Sequence, residues 1–129
     1  MPFATEQQFV VRAEEALGRR FPESYVARML QSNGGSVEID DDEWLMHPVR
    51  DDSDRKRLAR SANDVVAETT VAKQWTGFPA SAVAIGANGS GDFLILLPAD
   101  NDRFGEAVFV WEHETGEVRQ VADSLSALP

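Results

Sequence analysis

Carboxylates are the most prominent of the residues that could do chemistry. A run of four at residues 40–43 and an oxygen-rich segment at residues 100–106 could each gather ligands for Mg²⁺ or Ca²⁺. A calcium-binding loop that begins at Asp100 needs an acidic residue at its twelfth position, which here is Trp111, so the calcium pattern fails. We interpret residues 40–43 as a solvated acidic face, with loose cation binding as the alternative, and predict no metal site and no cofactor.

Nucleophilic and acid–base catalysis have few candidate residues. The chain has no cysteine, two histidines and no G-x-S-x-G motif. The segment HETGE contains His113 and Glu114 but lacks the second histidine of a zinc-protease helix. An acid–base pair of His113 and Glu114 stays open, because the fold could bring other groups near it. We predict that the protein is not an enzyme, since no nucleophile, base and orienting group are visible together.

The glycine-rich segment GANGSGD resembles a phosphate-binding loop in composition only. Phosphate loops join a strand to a helix, whose first amides meet the phosphate. Here no lysine follows the glycines, and the apolar run at residues 93–97 predicts a strand instead. We therefore predict a structural turn within a β-hairpin, formed by Asn88, Gly89, Gly91 and Asp92.

The charge balance limits the choice of partners. The formal net charge is −10, and residues 81–129 contain two arginines against eight acids. Such a surface repels a phosphate backbone, so we expect no nucleic-acid partner. A basic protein is the natural macromolecular partner, although acidity also simply keeps a protein dissolved. No apolar run approaches the roughly 20 residues of a membrane span, so we expect no membrane partner.

Two helices are predicted near the N-terminus. Apolar residues at helical spacing predict the first at residues 5–17, where Thr5 and Gln8 would form a capping box. The second is predicted at residues 22–32, because proline is favoured in a first turn and the Asn-Gly-Gly sequence that follows ends a helix.

A middle helix and several strands complete the predicted order. The helix covers residues 55–75 and is split where Ser61 and Asp64 can cap an internal end. Alternating or continuous apolar patterns predict strands at residues 36–39, 44–46, 106–112 and 117–121, and in both arms of a central hairpin at residues 83–98.

This order predicts an α+β fold. We expect a single, largely antiparallel sheet of about five to six strands, with the N-terminal helices and the middle helix packed on one side. Trp75 and Trp111 are assigned to the core. Without a repeat or linker, residues 1–129 are expected to form one domain. The lack of cysteine and of a leader pattern at the start, MPFATEQQF, leads us to expect the cytoplasm.

Short motifs follow one another along almost the whole chain. They are Leu17-Gly18, Phe21-Pro22, Asn33-Gly34-Gly35, Trp44, Ile85-Gly86, the turn at residues 88–92, and the segment WEHETG at residues 111–116. In this order they resemble the SUKH superfamily of Smi/Knr-like domains. One motif departs from the family pattern, which has aspartate after the late tryptophan where this chain has Glu112.

The resemblance implies an α+β fold with a single mixed or antiparallel sheet and no catalytic activity. Many bacterial members look like immunity proteins, which bind and neutralise a toxin, often a nuclease, made by the same cell or its kin. Fungal members look like regulatory scaffold proteins of cell-wall signalling. This compact chain resembles the bacterial type, so we expect an immunity protein, as a monomer or weak dimer, with a non-catalytic regulatory adaptor as the alternative.

Under this expectation, the toxin-binding surface should be acidic. A nuclease inhibitor meets a surface built to hold phosphate, and carboxylates can mimic that charge. Trp44, beside the acidic run, could anchor a basic partner, with core packing as the alternative. The residues predicted to bind the partner are Asp40, Asp41, Asp42, Glu43, Trp44, Asp51 and Asp52.

Overall fold

The computed structural model describes residues 3–129, so the first two residues of the segment inspected for a leader lie outside it. The described residues form four α-helices, six strands and a short 3₁₀ helix at Leu125–Ala127. The helices are α1 (Gln7–Leu17), α2 (Glu23–Gln31), α3 (Arg55–Arg60) and α4 (Val65–Ala72). The strands are β1 (Ser36–Ile39), β2 (Asp42–Met46), β3 (Val83–Ala87), β4 (Phe93–Leu96), β5 (Val108–Trp111) and β6 (Val118–Ala122).

The strands form one antiparallel sheet in which their spatial order is their order in the chain. Each neighbouring pair is antiparallel, so β1 and β6 are the two edges. Helices α3 and α4 interrupt the meander between β2 and β3. The predicted α+β fold with one antiparallel sheet is therefore confirmed.

The central hairpin β3–β4 is the most buried part of the sheet. The four residues of β4, Phe93–Leu96, are all buried, as expected for a strand covered on both faces. The turn at residues 88–92 is flanked by strand on both sides, and no helix begins there. Gly89 and Gly91 have φ angles of 82° and 96°, which glycine adopts without strain. The predicted hairpin is confirmed.

Alternate residues of the central strands point to opposite faces and enter two apolar clusters. The larger cluster, which includes helices α1 and α2, contains Phe9, Val10, Tyr25, Met29, Ile85 and Leu94. The smaller cluster, under the segment that follows α4, contains Phe78, Phe93, Ile95 and Trp111. Trp75 packs edge-on against Trp111 at 6.4 Å but is 43% exposed, so its assignment to the core was wrong.

Helix α1 begins without the predicted capping box. Its N-cap residue is Glu6, which makes no side-chain capping hydrogen bond. The hydroxyl of Thr5 instead donates to Asp51 Oδ2 at 2.9 Å. The prediction was wrong because α1 begins one residue later than the box requires, so Thr5 precedes the N-cap position and its side chain is turned toward Asp51.

The middle helix is divided as predicted. Asp54 accepts a hydrogen bond from the first turn of α3, and Asp64 accepts two from the first turn of α4. The Ser61 hydroxyl donates to a carbonyl of the last turn of α3, and α4 ends at Ala72, before the predicted residue 75. The acids that cap these helices therefore serve local structure.

Helix α4 lies beside β3, next to the part of that strand that does not pair with β2. Strand β2 pairs with β3 only through Leu45 and Met46, so Ala84 lacks a strand neighbour on that side. The Ala84 N–H donates to Thr69 Oγ1, and its carbonyl lies 2.9 Å from Nδ1 of His47. Two side chains thus replace the missing ladder bonds. Helix α4 also supplies buried residues to both clusters, and so sits at an edge between the two faces.

The protonation state of His47 suits this bond. Burial lowers the pKa of the imidazole, which outweighs the opposing effect of its bond to the Ala84 carbonyl. The ring is therefore neutral near pH 7. A carbonyl can only accept, so Nδ1 carries the proton.

Replacing Thr69 by valine should destabilise the protein, because valine keeps the volume but leaves the buried Ala84 N–H without an acceptor. We expect the free energy of unfolding to fall by about 1–3 kcal/mol, measured as a lower urea midpoint at unchanged slope. Thr70→Val is the matched control, since the Thr70 hydroxyl is exposed and bonds only to Val66 in its own helix. Its effect should stay within about 0.5 kcal/mol. Equal losses at the two positions would contradict the role given to Thr69.

Candidate protein-binding site

The acidic run at residues 40–43 forms the tip of the hairpin β1–β2. Ile39 pairs with Asp42, so Asp40 and Asp41 alone make the turn. Their φ angles are 52° and 68°, the positive values that a type I′ turn needs at both central residues. Glycine, asparagine and aspartate are the usual residues there, because most other side chains are strained in this conformation. The turn conformation therefore accounts for Asp40 and Asp41, but it does not account for the acids that flank them on the strands.

A fifth carboxylate, Glu38, belongs to this surface. Glu38 on β1 stands directly opposite Glu43 on β2, and both are exposed. Like charges facing each other across a strand pair destabilise it. We call the group formed by Glu38, Asp40, Asp41, Asp42 and Glu43 the acidic hairpin. Sequence reasoning missed Glu38, although the alternation of β1 would have placed it on the same face as Glu43.

The acidic hairpin is poorly neutralised. Asp40 Oδ2 lies 3.6 Å from Arg119 Nη1, on the opposite edge strand, which shows how strongly the sheet curls. The other four carboxylates form no ion pair within residues 3–129. An exposed pair such as that of Asp40 contributes little energy. The tip thus presents a concentrated negative charge to solvent.

Trp44 does not lie on this surface. Its side chain is 3% exposed, pairs across the strands with Val37 and enters the larger apolar cluster. The strand alternation that exposes Glu43 and Leu45 turns Trp44 inward. The prediction of Trp44 as a partner anchor is therefore corrected to core packing.

Asp51 is also buried, at 3% exposure. Its carboxylate accepts hydrogen bonds from the hydroxyls of Thr5 and Ser53 at 2.9 and 2.6 Å. Burial raises the pKa of Asp51, but bonds from Ser53 and Thr5, with the charge of Arg57, outweigh it and hold the pKa below its usual value. Asp51 joins the N-terminal segment to the start of α3, so its place in the predicted patch is corrected to a structural one.

Asp52 is exposed but far from the acidic hairpin. It lies 3.2 Å from Arg12 and 3.7 Å from Arg50, which partly neutralise it. It follows the far end of β2, and four strand steps from Asp42 to Met46 cover roughly 13 Å. The structure therefore brings residues 40–43 together with Glu38 and leaves Asp52 apart.

The predicted structural turn is tied to a second turn. Asp92 Oδ1 accepts hydrogen bonds from the backbone N–H of His113 at 3.1 Å and from its Nδ1 at 2.7 Å. A Cβ on Gly91 would come within 3.0 Å of the same ring, so glycine leaves room for it. Trp75 covers the imidazole from another side, with ring centroids 5.3 Å apart. These contacts lock the β3–β4 turn against the β5–β6 turn.

This arrangement does not bring the proposed acid–base pair together. His113 Nδ1 is engaged by Asp92, whereas Glu114 is exposed and makes no hydrogen bond or ion pair among the described residues. Within residues 3–129, no three His, Cys, Asp or Glu side chains are grouped so that they could hold a metal ion. No helix in that range is long and apolar enough to cross a bilayer.

Fold and site together describe an α+β protein with one antiparallel sheet, capped by helices, whose exposed carboxylates gather on an edge hairpin. The model of the SMI1 / KNR4 family (SUKH-1) matches residues 4–128, and the chain belongs to this family. A search among curated proteins found none that matches the chain.

Asp92→Asn should destabilise the protein in a pH-dependent way. Burial raises the pKa of Asp92, but the hydrogen bonds from His113 and Asn88 outweigh this and lower it. A lowered pKa in the folded state stabilises the protein above the unfolded pKa of about 4, and this stabilisation is lost as pH falls through the folded value. We expect a loss of about 1–3 kcal/mol at pH 7 that shrinks below about pH 4.

The free energy of unfolding of the wild type and of Asp92→Asn is measured by urea unfolding at several values between pH 3 and pH 7. Glu114→Gln, which removes the same charge from the neighbouring turn, is the control and should change stability by under about 0.5 kcal/mol. A difference between wild type and Asp92→Asn that is the same at pH 3 and pH 7 would rule out the ionised bond to His113 as its source.

Proposed function

We propose that this protein is an immunity protein that binds and neutralises a cognate bacterial toxin, and that the acidic hairpin contacts that toxin. Membership of the SUKH-1 family supports the general function. The observation that carries the choice of surface is the concentrated charge of the acidic hairpin, where Glu38 faces Glu43 across the strands and, within residues 3–129, Asp40 alone of the five acids has an ion-pair partner. In this proposal the chain acts as one non-catalytic domain in the cytoplasm.

The proposed partner has a basic surface. Charge concentrated at one site steers the encounter of two proteins and rejects partners of the same sign. A nuclease holds its substrate through positive charge, which the carboxylates of the hairpin tip would meet in place of phosphate. The like-charge pair of Glu38 and Glu43, which costs the hairpin stability, is then retained for binding.

A regulatory adaptor that binds another protein remains the alternative function, because the acidic hairpin would serve any basic partner. Genetic context and rescue separate the two functions. We expect a toxin gene immediately upstream, and expression of that toxin should stop growth unless this protein is co-expressed. A neighbouring gene product that is harmless alone, yet binds this protein, would favour the adaptor.

Removing charge from the hairpin tip should slow toxin binding. The double variant Asp41→Asn and Glu43→Gln keeps the turn, because asparagine tolerates positive φ. We expect the association rate at low salt to fall about tenfold, with a weaker dependence on salt, measured by surface plasmon resonance against the purified toxin.

The matched control is Glu15→Gln with Glu23→Gln, which removes two exposed charges near the β4–β5 connection, at the opposite end of the sheet from the hairpin tip. It should lower the rate less than about twofold, because charges farther than a Debye length from the contact are screened. If both double variants bind the toxin like the wild type, the acidic hairpin is not the contact surface, although toxin neutralisation itself would stand.

A further inference from the structure

A cleft of about 350 Å³ opens beside the base of the acidic hairpin, between the loop that follows α2, the end of β2 and helix α3. Phe3, Leu45 and Pro48 form its apolar side, and Asp51, Arg57 and Arg60 its charged side. This volume lies at the lower end of the roughly 300–1,000 Å³ typical of small-molecule sites. Neither the family match nor the proposed toxin contact gives the cleft a role.

The charged side of the cleft is positive in a chain whose net charge is −10. The guanidinium carbons of Arg57 and Arg60 lie 4.9 and 4.5 Å from the centroid of the Phe3 ring, which holds both cations at the cleft. Asp51 is the opposing charge, but its oxygens already accept bonds from Thr5 and Ser53. A ligand would therefore meet Arg57 beside a carboxylate, that of Asp51, whose oxygens are already satisfied.

Arg57 has unused hydrogen-bonding capacity. Its Nη1 donates to Asp54 Oδ2 at 3.3 Å. Within residues 3–129 its other two guanidinium nitrogens have no hydrogen-bond partner, and Nε is shielded from solvent as well. Buried donors are rarely left unpaired. The Nε–Nη2 edge is one that a carboxylate can engage through two parallel bonds.

We propose that this cleft binds a small monocarboxylate with an apolar body. The carboxylate pairs with the Nε–Nη2 edge of Arg57 after a modest turn of the guanidinium, and the apolar body packs against Phe3 and Leu45. A monoanion suits the site better than a phosphate dianion, because Asp51 and Asp54 stand beside Arg57. The carboxylate can belong to a free small acid or to the C-terminus of a peptide.

The test is a titration of the ¹⁵N-labelled full-length protein with phenylacetate and, separately, with phenylacetamide at constant ionic strength. The two probes share an apolar body and differ in charge. We expect phenylacetate to change the chemical shifts of the Gly34 and Gly35 amides in a saturable way. Phenylacetamide should bind at least about tenfold more weakly. Tighter binding of N-acetylphenylalanine than of phenylacetate would identify a peptide C-terminus as the source, and the reverse a free acid.

Variants of α3 test the role of Arg57. Arg57→Gln should weaken phenylacetate about tenfold, and Arg57→Lys nearly as much, because lysine keeps the charge but lacks the planar fork. Arg55→Gln is the matched control, since Arg55 is exposed on the same helix and does not line the cleft. Equal weakening by the Arg55 and Arg57 variants, or equal binding of acid and amide, would overturn the proposal. Arg57→Lys carries the test if the glutamine variant fails to fold.

Discussion

The peptide of Ala84 fixes how the two parts of the molecule meet. Ala84 lies beyond the point where β2 stops pairing with β3, so its buried N–H and C=O groups have no hydrogen-bond partner on that strand. Each group left unsatisfied would cost about 1–3 kcal/mol. His47, just after β2, and Thr69, on α4, supply these partners instead. The end of β2 and the position of α4 are thereby fixed to the same point of the central hairpin. The acidic hairpin depends on this point, because β2 is one of its two strands.

A second constraint acts at the other end of the hairpin β3–β4. Asp92 holds both the backbone and the ring of His113, and Gly91 leaves space for that ring. The glycine-aspartate turn and the segment with His113 are therefore one structural unit. Packing and hydrogen bonding hold the two segments together.

The acids of this chain divide into those that stabilise the fold and those that do not. Asp51, Asp64 and Asp92 are engaged by hydrogen bonds within the fold. Glu38 and Glu43 oppose each other without a cation. A net charge of −10 is thus an incomplete description, because only the second group is available to an outside partner. The cleft near Arg57 lies beside the base of the acidic hairpin, so the protein has neighbouring surfaces of opposite charge.

By itself, the sequence determined the hairpin β3–β4, the split of the middle helix at Asp64 and the fold class, because apolar periodicity, turn glycines and capping residues act between near neighbours. The tertiary structure alone decided which acids face solvent. Trp44 turned inward through the register of β2, and Asp51 was buried by Thr5, 46 residues away. Trp75 stayed half-exposed for the same reason. Burial depends on which distant segments pack together, and this cannot be predicted from local propensity.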